Sequence, residues 1–150
     1  MVGTTFKQEL LNFIGSMHEQ GILDYHFDNI RSLQTIDYPR IVSRMISNYT
    51  THADDAMEAI TRLLNDEAVD FNHLTIYVQR LKESSTSIGG CRMAGVCREL
   101  QQASDEMNKD RCLAIFERVK TEYQTLHNNL AHIQQLESSI LTYESRRRRD

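Results

Sequence analysis

Imidazoles and thiolates are the side chains best suited to metal binding, nucleophilic attack or proton transfer near neutral pH. This chain carries six histidines and three cysteines, and their spacing supports little of that chemistry. His18, His26, His52 and His73 are scattered. His127 and His132, five residues apart, would lie about 140° apart around a helix, a poor shared ligand face. Cys91, Cys97 and Cys112 are odd in number and contain no Cys-x-x-Cys pair. They read as reduced thiols of a cytosolic or nuclear protein, with neither a disulfide framework nor a zinc site. There is no Gly-rich phosphate loop, no His-Glu-x-x-His, and no Glu-x-x-His pair of the kind that holds di-iron in bundles. Without a paired acid–base or nucleophile constellation, the expectation is a protein that is not an enzyme and takes no metal or cofactor.

The most informative stretch is Gln79-Arg80-Leu81-Lys82-Glu83-Ser84-Ser85-Thr86-Ser87-Ile88-Gly89. On a wheel of 100° per residue, Leu74, Val78, Leu81 and Ser85 centre a buried face, and Gln79 falls about 120° from that centre, in solvent. Lys82 and Glu83 sit beside it on one stripe, with Asn72, Thr75, Ile76 and Thr86 nearby. Taken on the wheel alone, this is an ordinary wet helix face with a Gln–Glu neighbour pair.

The elements that carry this face are helical throughout, with no run of strict alternation. A first helix over about 4–20 has Phe6, Leu10, Phe13, Ile14 and Met17 on one stripe and Gly21 as its stop. A short second helix begins near Asp24, a candidate N-cap, and carries Phe27, Ile30 and Leu33. Pro39 suits the first turn of a third helix, which runs to about Asn65 with Val42, Met45, Ile46, Tyr49, Ala53, Ala56, Ile60 and Leu63 inward. Asp70 can cap a fourth helix carrying Phe71, Leu74, Val78 and Leu81. That helix weakens in Ser84–Gly90, where a bend or short break is expected and Gly89-Gly90 reads as a junction. A fifth helix follows to about Met107, with Met93, Val96, Cys97 and Leu100 buried. The sixth, about 109–143, spans some 50 Å at 1.5 Å per residue. Its seam of Phe116, Val119, Tyr123, Leu126, Leu130 and Ile133 shifts to Leu136 and Ile140. Met45, Met57 and Met93 need no explanation beyond packing. Short connections between long helices predict an up-down-up-down four-helix bundle with two additional N-terminal helices.

The stretch at 79–89 resembles the signature of plant histidine-containing phosphotransfer proteins: His-Gln-Leu-Lys-Gly-Ser-Ser, two small residues, then Ile/Val-Gly. Leu81, Lys82, Ser84, Ser85, Ser87, Ile88 and Gly89 all fall in register. Gly21-Ile22-Leu23-Asp24, Val69-Asp70-Phe71, Arg92, Cys97 and Glu122-Tyr123 are similar to that family as well, so the resemblance covers essentially residues 4–143. It implies the bundle fold just described and a place in two-component (cytokinin) phosphorelay.

Two departures bear on function. Gln79 stands at the phosphoaccepting histidine, and Glu83 at a glycine. An imidazole accepts phosphate through an available ring lone pair, whereas a glutamine amide nitrogen is delocalised into its carbonyl and is a very poor nucleophile. The chain therefore resembles the pseudo branch of the family, which lacks the histidine. His73 lies about 120° from Gln79 on the wheel, so it is a poor substitute. The family's stripe docks on a receiver domain, at an aspartate pocket holding several carboxylates and a divalent cation. The resemblance thus implies a receiver-binding set of Gln79, Lys82, Glu83, Thr75 and Thr86, joined by Leu23, Phe27 and Ile30 if those apolar positions are shared between core and partner. Lys82 supplies a favourable charge. Glu83 adds bulk and negative charge where glycine allows close approach, so the expectation is retained but altered receiver binding without transfer. The implied role is a negative regulator that competes with active phosphotransfer proteins.

Length and charge set the outer bounds. The chain has 150 residues, 40% hydrophobic and 25% charged, one proline and a net charge of −4, which fits one domain. It has no basic-then-apolar leader pattern and no run of 18 apolar residues. A single helical domain is expected over 1–145, with residues 146–150 as a basic tail. Arg146–Arg149 read as a solvated tail or an import signal; elsewhere there is no electrostatic footprint for nucleic acid. The expected partners are receiver domains of sensor histidine kinases and response regulators, with no nucleic acid and no membrane. The expected state is a monomer, cytoplasmic and nuclear. The alternative is a helical scaffold or adaptor outside the relay, nuclear through its arginine tail.

Overall fold

A computed structural model of the chain describes residues 2–149, with side chains from 5 to 147. Six helices follow one another: α1 (Val2–Glu19), α2 (Tyr25–Ser32), α3 (Ile41–Asn65), α4 (Phe71–Ile88), α5 (Cys91–Asp105) and α6 (Lys109–Arg149). Helices α3 to α6 close a ring in which each packs on the next and α6 returns to α3, forming a four-helix bundle. The two N-terminal helices are additions: α1 lies along α6, and α2 crosses onto α3 and α4. The shifted seam of α6 has its reason here. Leu136 and Ile140 serve the same core as Leu10, Ile14 and Met17 of α1, and Lys7 bridges to Glu144 at 3.0 Å.

Local chemistry sets the helix ends. Asp24 caps α2, accepting from the His26 N–H at 3.0 Å, and Asp70 caps α4 through the His73 N–H at 3.1 Å. That bond holds the Asp70 carboxyl below its usual range. Helix α4 stops at Gly89, whose φ of 89° is left-handed. The Gly90 N–H reaches the Ser85 carbonyl at 2.8 Å and the Gly89 N–H the Thr86 carbonyl at 3.1 Å, a Schellman closure. The same closure ends α5 at Met107, where φ is 54° without a glycine.

Several boundaries differ from the sequence reading. Pro39 sits ahead of α3, not in its first turn, and the side chain of Gln34 accepts from the Val42 N–H at 3.2 Å in that turn. Met45 is 38% exposed, because the buried stripe of α3 runs Val42, Ile46, Tyr49, Ala53, Ala56, Ile60 and Leu64. Leu63, beside that stripe, is half-buried. The break expected within Ser84–Gly90 falls at its far end: α4 continues through Ser84–Ser87 to Ile88 and stops at Gly89. Helix α6 runs past Tyr143 through Arg149, since no glycine or proline stops it and arginine favours helix. Arg146 and Arg147 are exposed on its last turns. The rest of the expected basic tail, Asp150 and the side chains of Arg148 and Arg149, lies outside the described residues.

Candidate functional site

Helix α4 is anchored on one side and bare on the other. Leu74, Val78 and Leu81 are at most 1% exposed, each burial stabilising the helix's seat by about 1.5–3 kcal/mol. Ser85 is fully buried, 2.8 Å from the Tyr49 hydroxyl of α3. Burial pushes that phenol's pKa well above its usual value, so the contact is a neutral hydrogen bond. These contacts fix the rotation of α4 and turn Gln79 and Glu83 to solvent.

The stripe has internal order. The Gln79 amide Nε2 donates to Glu83 Oε1 at 3.1 Å, one turn along. Lys82, half-buried, leans the other way and donates to Gln101 Oε1 of α5 at 2.8 Å. It thus marks the edge of the α4–α5 groove, near Cys97. Burial raises the Cys97 thiol to about 12, with the Lys82 charge opposing, so this cysteine stays protonated and unreactive near neutral pH. Arg80 points towards α3 and rests over the Tyr77 ring at 5.6 Å. Thr86 is exposed and returns its hydroxyl to the Lys82 carbonyl at 2.9 Å.

The structure brings Gln79, Lys82, Glu83 and Thr86 onto one accessible surface. Thr75 stands at its edge, half-buried, with its hydroxyl 2.8 Å from Ser104 Oγ. Leu23, Phe27 and Ile30 do not belong there: at 2%, 0% and 7% exposure they are core. Phe27 and Ile30 of α2, with Leu23 just before it, pack into the core where α2 meets α3 and α4. The apolar surface exposed here is Tyr25, 64% exposed and stacked on His26, and Leu33 just past the end of α2, 55% exposed. Gln101 and Tyr25 lie outside the set read from the sequence. Tyr25 follows the Asp24 cap, a position that leaves it off the buried stripe, which was a usable signal.

The histidines are engaged separately. His73 Nδ1 is 2.7 Å from Asp70 Oδ2 at the start of α4, His18 pairs with Asp28, and His127 and His132 meet the rings of Tyr123 and Phe13. Among the described residues, no three His, Cys, Asp or Glu side chains cluster to hold a metal, and no helix is long and apolar enough to cross a membrane.

No protein-family model matches the chain. Known proteins do. Histidine-containing phosphotransfer protein 2 of Oryza sativa subsp. japonica is 28% identical over 145 residues, 96% of this chain and 97% of the relative. Pseudo histidine-containing phosphotransfer protein 6 of Arabidopsis thaliana is 31% identical over 132 residues, 87% of this chain and 86% of the relative. The chain belongs to the histidine-containing phosphotransfer protein family. The crystal structure of a rice member superposes with a TM-score of 0.88 at 28% identity, covering 94% of this chain and 99% of the other. Within this phosphotransfer fold, the bare face of α4 carries the exposed amide of Gln79.

Proposed function

We propose that this protein is a pseudo-phosphotransfer protein of two-component phosphorelay. It occupies receiver domains without accepting phosphate and so restrains active members of its family. One observation carries the reading: the side chain at the acceptor position is an exposed glutamine whose amide donates to Glu83. An amide nitrogen has no free lone pair with which to attack an aspartyl phosphate. Lys82 and Thr86 share the accessible face of α4 with it. Lys82 remains at the groove edge as the charge suited to an acidic pocket. The naming of one relative as a pseudo protein adds support. The receiver partners, the cytokinin setting, the monomeric state and a cytoplasmic and nuclear location all belong to this proposal.

The test is phosphoryl transfer from a labelled receiver domain. Wild type stays unlabelled, yet slows transfer from that receiver to an active phosphotransfer protein as its concentration rises, and Lys82→Ala weakens this competition about fivefold. Gln79→His combined with Glu83→Gly gains label. Stable label on the wild type overturns the proposal. A double variant that docks but stays inert shows that these two positions are not what disables the site.

A further inference from the structure

We infer that Gln79 and Glu83 together present a fixed anion that selects receivers whose aspartate is unphosphorylated and whose divalent cation is in place. This rests on the receiver-docking reading above and concerns which state of the receiver is held.

The Glu83 carboxylate is exposed, and Gln79 steadies one of its oxygens at 3.1 Å. Among the described residues no cation pairs with it: Lys82 is committed to Gln101, and Arg80 lies over Tyr77. The second oxygen has no partner, and the full negative charge faces outward beside the acceptor position. An imidazole at that position is neutral or cationic, and only its phosphorylated form is an anion rich in acceptor oxygens. In charge and oxygen chemistry the Gln79–Glu83 pair therefore resembles a carrier bearing its phosphoryl group. Such a carrier complements an aspartate pocket that holds a cation and awaits a phosphoryl group. A hard divalent cation takes a carboxylate oxygen readily, whereas an aspartyl phosphate repels it. Binding is thus coupled positively to the cation and negatively to phosphorylation, and by reciprocity the docked protein tightens the receiver's hold on its cation by the same factor.

The experiment titrates the full-length protein against isolated receiver domains of hybrid histidine kinases in three states: with Mg²⁺, with EDTA, and with Mg²⁺ plus beryllofluoride as the phosphoryl mimic. Affinity is expected to be about tenfold higher with Mg²⁺ than with EDTA, and to fall about fivefold when beryllofluoride is added. Glu83→Gln keeps the shape and the hydrogen bond to Gln79 but removes the charge, and should bring the three affinities within about twofold of one another. Equal affinities for wild type in all three states, or a preference that survives Glu83→Gln, overturn the inference while leaving receiver docking intact. An absence of saturable binding in every state removes docking itself, and the inference with it.

Discussion

Gly89→Ala is the sharpest test of how α4 is held. The residue sits at φ 89°, a conformation that costs an L-residue roughly 1–2 kcal/mol. A Cβ there would stand 2.7 Å from the Phe27 backbone nitrogen, 3.0 Å from Phe27 Cβ and 3.2 Å from Asp24 Oδ1. The first of these atoms is main chain, so α2 as a whole must retreat from α4. That retreat strains the hydrogen bond from the Asp24 N–H to the Gly89 carbonyl, 2.8 Å long, and loosens the packing of fully buried Phe27. Forced overpacking of this kind costs about 1–3 kcal/mol, for a total of about 2–5 kcal/mol. Against a urea slope of about 2 kcal/mol per molar, the unfolding midpoint should fall by about 1–2.5 M. Gly95→Ala is the control. It lies inside α5 with nothing within 4 Å of its would-be Cβ, so it should gain up to about 1 kcal/mol from helix propensity. Urea unfolding followed by circular dichroism reads both. A loss below about 1 kcal/mol at Gly89 would refute the claim that the α2–α4 joint is closed too tightly for a methyl group.

Met107 takes the left-handed position that ends α5 with φ 54° and 70% of its surface exposed. Met107→Gly should therefore raise stability by about 1 kcal/mol, and an unchanged or lower urea midpoint would mean that the side chain compensates the strain. Alkaline pH should destabilise the fold. Burial raises Cys97 from the ordinary 9.0 to about 12, and burial also raises Tyr49 and Tyr123. The native state keeps these protons over a range in which the unfolded chain releases them, so the contribution is intact below about pH 9 and lost as pH rises through about 12. Thermal melts at pH 8 and 11 should show the drop, smaller in Cys97→Ala; a flat profile contradicts the assignment of these groups as buried and neutral.

The readable parts of the sequence were those governed by one helix at a time. Leu74, Val78, Leu81 and Ser85 recur at three and four residues, and that spacing alone gave the rotation of α4 and the exposure of Gln79. Asp24, Asp70 and Gly89 announced helix ends because their side chains, or the lack of one, solve a local backbone problem. Relations between helices were opaque. Leu23, Phe27 and Ile30 are apolar whether they face a core or a partner, and only the seating of α2 on α3 and α4 decides for the core. The bond from Lys82 to Gln101 spans 19 residues and depends on how α4 meets α5. Met107 gave no warning of its left-handed backbone, since neither glycine nor asparagine marks it.

The serine-rich end of α4 explains why family likeness and family chemistry can part company. Serine and threonine weaken an isolated helix by competing for its backbone, yet here that competition is absorbed. Ser84, Thr86 and Ser87 return their hydroxyls to the carbonyls of Leu81, Lys82 and Glu83 at 2.9 to 3.2 Å, and Ser85 turns inward to Tyr49. Leu81, Ser85, Ile88 and Gly89 all work for packing: the first three are buried, and the last admits α2. Gln79, Arg80, Glu83, Thr86 and Ser87 face solvent, with Lys82 and Ser84 half-buried beside them. Leu81, Ser85, Ile88 and Gly89 are therefore requirements of the bundle, met whether or not phosphate is ever transferred. On the proposed reading, an amide at 79 and a carboxylate at 83 leave the fold untouched, because both fall on the solvent side of a helix whose seat lies on the other.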